Sequence, residues 1–311
     1  KNMRFILFVF IAFLVFTFAH DHPMVGILSH PGSPSEETAN SYIQVESAKF
    51  IESTGARNVA IDYSQDWVIT ESVLSNLNGI LIQNSFTGEF CEDSTFIKTL
   101  KNTYQYVKDQ DSEGVTFPLW SSGVTALQLS QILSSTQDIS KYTVDIDALD
   151  YATSLKFIEF KTPNEDIQIT QNIRDSFLKP AFENKIAYIN QAKAITIESL
   201  KNDEFLSANF EVVATSKDRK GTEFIAILKS KSLPIILSTV LFESVYNFYP
   251  QTNIPHTTDS TRLSVQFSKV FSNFARSNDQ SFGSTKLEYE NNLYNHKLST
   301  TTGPQYQTFY F

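Results

Sequence analysis

Short apolar runs and segments with helical spacing alternate along the first part of the chain. The apolar runs, which predict buried strands, lie at 24–28, 58–63, 79–82 and 115–120. Apolar residues recur every three or four positions at 40–54 and at 96–108, which predicts two helices. A further helix is expected to end at 74–77. This alternation predicts a parallel sheet covered by helices on both faces. Functional sites in such sheets lie at the carboxyl ends of the strands.

The second half predicts further strands and one long helix. Strands or edges are expected at 183–197 and 205–214, and a clear buried strand at 224–228. The turn at 217–221 joins the last two in a predicted hairpin. The spacing of apolar residues predicts a helix over 261–276.

Three acidic residues in the middle of the chain superficially resemble a cation loop. Asp145, Asp147 and Asp150 alternate with apolar residues. The segment lacks the glycine and the closing glutamate that a calcium loop needs. The pattern therefore favours a solvated strand or turn over a metal site.

Both ends of the chain differ in composition from the part between them. Residues 1–19 have Arg4 before an apolar run, Phe5–Phe18, and small residues at a possible cleavage site. This indicates a cleaved signal peptide, and hence an extracellular or lysosome- or vacuole-like location. The alternative is an uncleaved anchor that attaches the protein to a membrane.

Beyond Ser277 the chain is polar and predicts an extended or disordered tail, whose aromatic end is a possible docking segment for a partner. Those aromatic residues are Tyr306, Phe309, Tyr310 and Phe311.

Cleavage after Ala19 would create a possible metal site at the new N-terminus. The mature chain would then begin His20-Asp21-His22. A free amine, two amides and an imidazole at the third residue form a square-planar set that suits copper(II) or nickel(II). The competing interpretation is a solvated, disordered terminus.

Charge and cysteine content exclude several classes of function. The net charge of −9 over 311 residues argues against nucleic acid as a partner, because phosphates demand a basic face. Cys91 is the single cysteine, so no intramolecular disulfide forms. Acidic neighbours should raise the pKa of its thiol, which predicts an unreactive loop residue.

The run at 115–120 leads into a turn with a distinctive outline. Ser121-Ser122-Gly123-Val124-Thr125 follows the apolar run and precedes a helix-like segment. A strand, a tight turn and a helix form the outline of a nucleophile elbow, but its apex here is glycine. Glycine accepts the strained dihedral angles of such a turn without steric cost. An ordinary strand-to-helix turn is the alternative.

Several segments, in order along the chain, resemble the gamma-glutamyl hydrolase family of the class I glutamine amidotransferase-like group. They are 23–28, 47–57, 78–82, 117–120, 233–236 and 254–259. The resemblance implies a three-layer α/β/α sandwich with a mostly parallel central sheet over residues 20–278, followed by the tail at 279–311. It also implies an ancestral role in trimming poly-gamma-glutamate from folates with a cysteine nucleophile.

The resemblance further implies that the catalytic positions have degenerated. The family's Trp-Gly-x-Cys-x-Gly elbow corresponds to Trp120–Thr125, so Gly123 stands in place of the cysteine. Its Trp-His-Pro-Glu sequence corresponds to 240–243, where Leu241 replaces the general base and Glu243 is retained. Its Pro-Gly-Gly turn, which helps to form the oxyanion hole, corresponds to Gln83-Asn84-Ser85.

Two functions follow from these positions. The first is a catalytically inactive relative with a binding or structural role, whose partner is another protein or a second copy of this chain. The second is an active folate gamma-glutamyl hydrolase that uses unrecognised residues. No cofactor is expected in either case. The residues expected to line the old cleft are His30, Gln83, Asn84, Ser85, Ser122 and His256.

Overall fold

The computed structural model describes residues 22–32, 39–136, 138–158, 178–247, 253–295, 299–302 and 307–310. The predicted signal segment at 1–19 and residues His20 and Asp21 of the N-terminal metal motif lie outside this part. The strands are β1 (Met24–Leu28), β2 (His30–Pro31), β3 (Ser41–Gln44), β4 (Arg57–Ile61), β5 (Gly79–Ile82), β6 (Leu119–Ser122), β7 (Thr143–Thr153), β8 (Lys156–Phe157), β9 (Ala187–Ile195), β10 (Phe210–Lys217), β11 (Glu223–Ser230), β12 (Ile235–Ser238), β13 (Ser299–Thr302) and β14 (Gln307–Tyr310). The helices are α1 (Val45–Glu52), α2 (Trp67–Leu74), α3 (Ser94–Ser112), α4 (Gly123–Leu133), α5 (Leu178–Glu183), α6 (Ile197–Asn202), α7 (Glu204–Asn209), α8 (Thr258–Arg276) and α9 (Thr285–Glu290).

A central sheet of eight strands organises the molecule. Its order is β4-β1-β5-β6-β12-β11-β10-β8. The first five strands run parallel, and β11, β10 and β8 continue the sheet in antiparallel fashion. The α/β class and the mostly parallel central sheet predicted from the sequence are confirmed.

Alternating side chains of the parallel strands supply two separate cores, one on each face of the sheet. On β1, Ile27 points into one core and Leu28 into the other. The first core contains residues of α1 and α8, and the second contains residues of α2, α3 and α4. Because side chains of a strand alternate between faces, this division places helices on both sides of the sheet. The layers are therefore α/β/α.

Trp120 on β6 is the centre of an aromatic cluster in the first core. Its ring lies 5.6 Å from that of Phe50 on α1 and 6.0 Å from that of Phe267 on α8. Phe242, which follows β12, stacks on Phe267 at 4.1 Å. The cluster thus fixes α1, α8 and the segment after β12 against the strand that leads to the elbow.

Several predicted elements begin later than expected, among them the strand predicted over 183–197, which begins at Ala187. Two others show the physical reason. The helix predicted over 40–54 begins at Val45, because residues 41–44 form β3 and pair with β2 and β14. The strand predicted over 205–214 begins at Phe210, since Glu204–Asn209 is helical and the Asp203 side chain caps it by accepting from Leu206 N. In both cases tertiary pairing or a cap overrides the apolar pattern.

The predicted hairpin and the predicted solvated strand are both confirmed. Strands β10 and β11 pair in antiparallel fashion around the turn at 217–221. Asp145 and Asp147 lie on β7 and form exposed ion pairs with Lys193 and Arg219. Within the described residues, no group of three acidic, histidine or cysteine side chains is placed to hold a metal ion.

The sequence predicts an extended or disordered tail; its described part contains the extended strands β13 and β14 but also the helix α9, which the sequence does not predict. Its strand β14 pairs with β3, and Phe309 is buried with its ring 5.2 Å from that of Tyr294. Phe309 is therefore occupied within this chain. Tyr306 and Phe311 lie outside the described residues. Among the described residues, no helix combines the length and the apolar character that crossing a membrane requires.

Asn78 ties the start of β1 to the segment after α8, and its loss should destabilise the fold. Its Oδ1 accepts from Met24 N at 2.8 Å, and its Nδ2 donates to the carbonyls of Asn278 and Gln280, both at 2.9 Å. Asn78→Ala leaves these buried groups without partners, so we expect a loss of about 2–4 kcal/mol in the free energy of unfolding, measured by urea denaturation. Asn76→Ala, at a half-buried asparagine nearby whose amide bonds locally to Ser72 O, is the control and should cost under about 1 kcal/mol. Equal losses in the two variants would contradict this role.

Candidate functional site

The turn between β6 and α4 has the backbone of a nucleophile elbow. Strand β6 ends at Ser122 and α4 begins at Gly123, and both residues are buried. Gly123 has a φ of 60°, a region that side-chain-bearing residues rarely adopt. The predicted sequence of strand, tight turn and helix is thereby confirmed, although the strand occupies 119–122 rather than 115–120.

The space above Gly123 is filled by two neighbouring side chains. A Cβ atom placed on Gly123 would overlap the amide oxygen of Asn84 and would lie 2.8 Å from Leu241 Cδ2. Leu241 follows β12, which pairs with β6 in parallel, so both residues reach the same edge of the sheet. The site therefore has no room for a nucleophilic side chain at the apex unless its neighbours move.

Asn84 also accepts a hydrogen bond from the backbone amide that follows the apex. Its Oδ1 accepts a hydrogen bond from Val124 N at 2.8 Å. In elbow enzymes the amide after the nucleophile is a donor of the oxyanion hole. Here that donor is satisfied within the protein.

The residues on either side of Asn84 have structural partners of their own. Gln83 accepts from Gln44 N and donates to Tyr42 O, which fastens the end of β5 to β3. The Ser85 hydroxyl is 3.0 Å from that of Thr87. These bonds hold the segment after β5 in place, so that Asn84 is directed at the elbow.

Glu243 is a buried carboxyl beside the elbow. It is only 2% exposed, and its Oε1 accepts from Ser122 Oγ at 2.6 Å. Its Oε2 has no hydrogen-bond partner among the described residues. Burial raises the pKa of Glu243 to about 7, and the bond from Ser122 opposes part of this rise.

A cavity of about 130 Å³ lies against Asn84, Leu241 and Glu243. A second carboxyl, Glu46 in the first turn of α1, also lines it. Burial raises the pKa of Glu46 to about 7, and the nearby charge of Glu243 adds to this rise. The remaining lining residues are polar or apolar but uncharged: Gln44, Phe86, Tyr188, Asn190, Ser244, Asn247 and Ile254.

Known proteins that resemble this chain share one name. No family model matches the chain. It is 27% identical to gamma-glutamyl hydrolase B of Dictyostelium discoideum, over 90% of this chain and 79% of that protein. It is 26% identical to gamma-glutamyl hydrolase of Glycine max, over 93% and 84% of the two chains, and 22% identical to that of Homo sapiens, over 88% and 83%. The chain therefore resembles the gamma-glutamyl hydrolases over most of its length. Its α/β sheet agrees with the class I glutamine amidotransferase-like fold expected of this family.

The structure brings together some of the family positions singled out in the sequence and leaves others apart. Gly123, Leu241, Glu243, Asn84 and Ser122 meet at the elbow, as the preceding contacts show. The Ser122 hydroxyl lies fully buried, where it is bonded to Glu243.

Among the described residues, neither the histidines nor Cys91 lines the cavity. The buried ring of His30 packs 4.8 Å from that of Phe96, and burial lowers its pKa. The Nδ1 atom of His256 lies 3.2 Å from the carbonyl oxygen of Val245. Cys91 is half-buried, and burial raises the pKa of its thiol. His22, the described member of the N-terminal motif, is exposed.

Sequence reasoning missed Glu46 as a member of this family site. The predicted helix over 40–54 placed this residue in a helix interior, where an acidic side chain carries no functional signal. In the structure the helix begins at Val45, and its first turn points Glu46 toward the carboxyl ends of the strands. The pairing of β3 with β14 sets this boundary, and no local pattern reveals it.

Glu243 should make the stability of the protein fall with rising pH. Its pKa in the folded protein, about 7, exceeds its ordinary value of 4.5, so the folded state holds the proton more tightly. The resulting stabilisation is complete below about pH 4.5 and is lost as the pH rises through 7. Glu243→Gln should therefore exceed the parent protein in stability by roughly 2–3 kcal/mol at pH 8, with little difference near pH 4.5.

Urea denaturation at pH 4.5, 6.5 and 8 measures this effect. Glu71→Gln, at an exposed carboxyl on α2, is the control and should change the pH profile little. A Glu243→Gln profile parallel to that of the parent protein would show that this carboxyl ionises normally.

Proposed function

We propose that this chain is a catalytically inactive member of the gamma-glutamyl hydrolase family with a binding or structural role. One observation carries the proposal: the Asn84 side chain fills the space of a nucleophile at Gly123 and accepts from the oxyanion donor, Val124 N. A substrate carbonyl could neither be attacked at this apex nor be polarised by this amide.

The loss extends to each part of the catalytic apparatus that the family resemblance assigns. Gly123 provides no nucleophile, and Leu241, which is 7% exposed in an apolar cluster with Tyr188 and Ile254, provides no base. Removal of one member of a nucleophile and base pair costs on the order of a millionfold in turnover. A blocked oxyanion donor costs roughly a further hundredfold. Residual turnover would be negligible.

The proposal also covers location and partners. The signal-like segment at 1–19 supports passage through the secretory pathway to the outside of the cell or to a lysosome- or vacuole-like compartment, with membrane attachment if Phe5–Phe18 stays uncleaved. A protein partner or a second copy of this chain is the proposed counterpart. The net charge of −9 supports the exclusion of nucleic acid.

An active gamma-glutamyl hydrolase is the alternative, and the Ser122–Glu243 pair is the observation that favours it. A hydroxyl that donates at 2.6 Å to a carboxylate with a raised pKa is one form of nucleophile and base. Against it, Ser122 is fully buried and lies one residue before the apex. An imidazole within reach of this pair is absent from the described residues of the cavity lining.

A hydrolase assay separates the two functions. Purified protein incubated with a folate poly-gamma-glutamate should release no glutamate above background, and Ser122→Ala should behave identically. Turnover that Ser122→Ala abolishes would establish the alternative. Turnover that a thiol reagent abolishes would instead implicate Cys91 and would also contradict the inactive assignment.

Because Asn84 fills the space above Gly123, adding a methyl group at this residue should lower the stability of the protein by an unusually large amount. Gly123→Ala should destabilise the protein by about 3–5 kcal/mol, because strain at positive φ adds to overlap with Asn84. Gly221→Ala is the matched control: its φ is 87°, but nothing lies within 4 Å of its added Cβ. It should cost only about 1–2 kcal/mol.

A double-mutant cycle assigns the extra cost to Asn84. Gly123→Ala combined with Asn84→Gly should destabilise the protein by roughly 1–3 kcal/mol less than the sum of the two single changes, measured by urea denaturation. Strict additivity would mean that Asn84 does not occupy the apex.

A further inference from the structure

The cavity beside the elbow carries a buried carboxylate oxygen that the protein leaves without a partner. Glu243 lines the cavity, is 98% removed from solvent, and uses only Oε1, toward Ser122. A buried polar atom without a hydrogen bond costs free energy, and more so when it is charged. A positively charged group placed beside this carboxyl would offset part of that cost.

The charges around the cavity indicate that its ligand is positively charged. Both ionisable lining residues, Glu46 and Glu243, are acids, and no lysine, arginine or histidine is among the described lining residues. Lys49, three positions after Glu46 on α1, is a positive charge that acts on Glu46, but it does not line the cavity. An anionic ligand would be repelled here, whereas a cation would relieve the repulsion between the two carboxyls. A gamma-glutamyl chain carries a carboxylate on each residue and is therefore poorly suited to this cavity.

The rest of the lining indicates the shape of the ligand. Leu241, Tyr188 and Ile254 form a buried apolar cluster on one side of the cavity, and Phe86 adds an aromatic ring. An engineered cavity of about 150 Å³ holds benzene, so about 130 Å³ accepts a molecule of roughly five or six non-hydrogen atoms. An ammonium group supplies three donors, and the lining offers carboxylate and amide oxygens to accept them.

We propose that this cavity binds a primary ammonium ion that carries a short apolar chain, with Glu243 and Glu46 as its charge partners. The ammonium group lies against the carboxyls of Glu243 and Glu46, and the alkyl chain packs on Leu241 and Ile254. The proposal rests on the proposed function, because it treats the cavity beside Gly123 as a binding site. It narrows the ligand to a free amine or to the side chain of a lysine from another protein.

Titration calorimetry in an amine-free buffer at pH 8 tests the proposal, with n-butylammonium chloride as the probe. The matched compounds are butyrate and 1-butanol, which keep the chain and change the charge. We expect saturable binding of n-butylammonium alone. Glu243→Gln should weaken this binding about 10- to 100-fold, which is the range for hydrogen bonds to a charged group, and Glu46→Gln should weaken it to a smaller extent. Glu71→Gln, at a carboxyl outside the cavity, should bind as the parent protein does.

A blocked lysine distinguishes the two sources of the amine. Tighter binding of Nα-acetyl-lysine methylamide than of n-butylammonium would support the proposal with a lysine side chain as the ligand, and the reverse order would support it with a free amine. Equal binding of the cation, the anion and the alcohol would overturn the proposal, as would Glu243→Gln and Glu46→Gln variants that both retain full affinity. Either failure would leave the result of the hydrolase assay unaffected, so the two proposals fail separately.

Discussion

The hydrogen bond from Val124 N to Asn84 Oδ1 satisfies a donor at the start of α4 that would otherwise face a ligand. The first amides of a helix lack partners within the helix, and a capping side chain normally supplies one. Ser122 stands at the capping position but makes no such bond, because its hydroxyl donates to Glu243. Asn84, from the segment after the neighbouring strand, takes over as the cap. The start of α4 at the elbow is thus capped by Asn84 rather than by Ser122.

The bond that caps this helix also uses the amide that serves an elbow enzyme as an oxyanion donor. An active elbow must keep its amide donor and its strained apex available to substrate, and both requirements lower stability. Here Gly123 relieves the strain at a φ of 60°, Asn84 satisfies the amide, and Leu241 joins an apolar cluster with Tyr188 and Ile254. Each of these contacts stabilises the fold at a position that an active elbow would keep open to substrate, as expected of the inactive protein proposed above.

The sequence was sufficient for the elements whose patterns are local. Strands β1, β4 and β5 and the turn at Gly123 follow from apolar runs and turn residues. The meeting of Gly123 with Leu241 followed from the family resemblance, and the parallel pairing of β6 with β12 explains it. By contrast, β3 exists because it pairs with β14, more than 260 residues away along the chain, and periodicity cannot report such a contact. The direction of the Asn84 side chain was also beyond sequence reasoning, since it depends on how Gln83 is fastened to β3.

Glu243 is the group that these stabilising changes have left unrelieved. In the family arrangement an imidazole stands at the position of Leu241, and its positive form can compensate a neighbouring carboxylate. The leucine removes that compensation, so a carboxyl that is 2% exposed keeps an unpartnered oxygen, and burial raises its pKa to about 7. Under the proposed function, replacing the base by an apolar residue therefore has a second effect. It converts a site with its own internal cation into one whose unmet charge must be balanced by a proton or by a positively charged ligand.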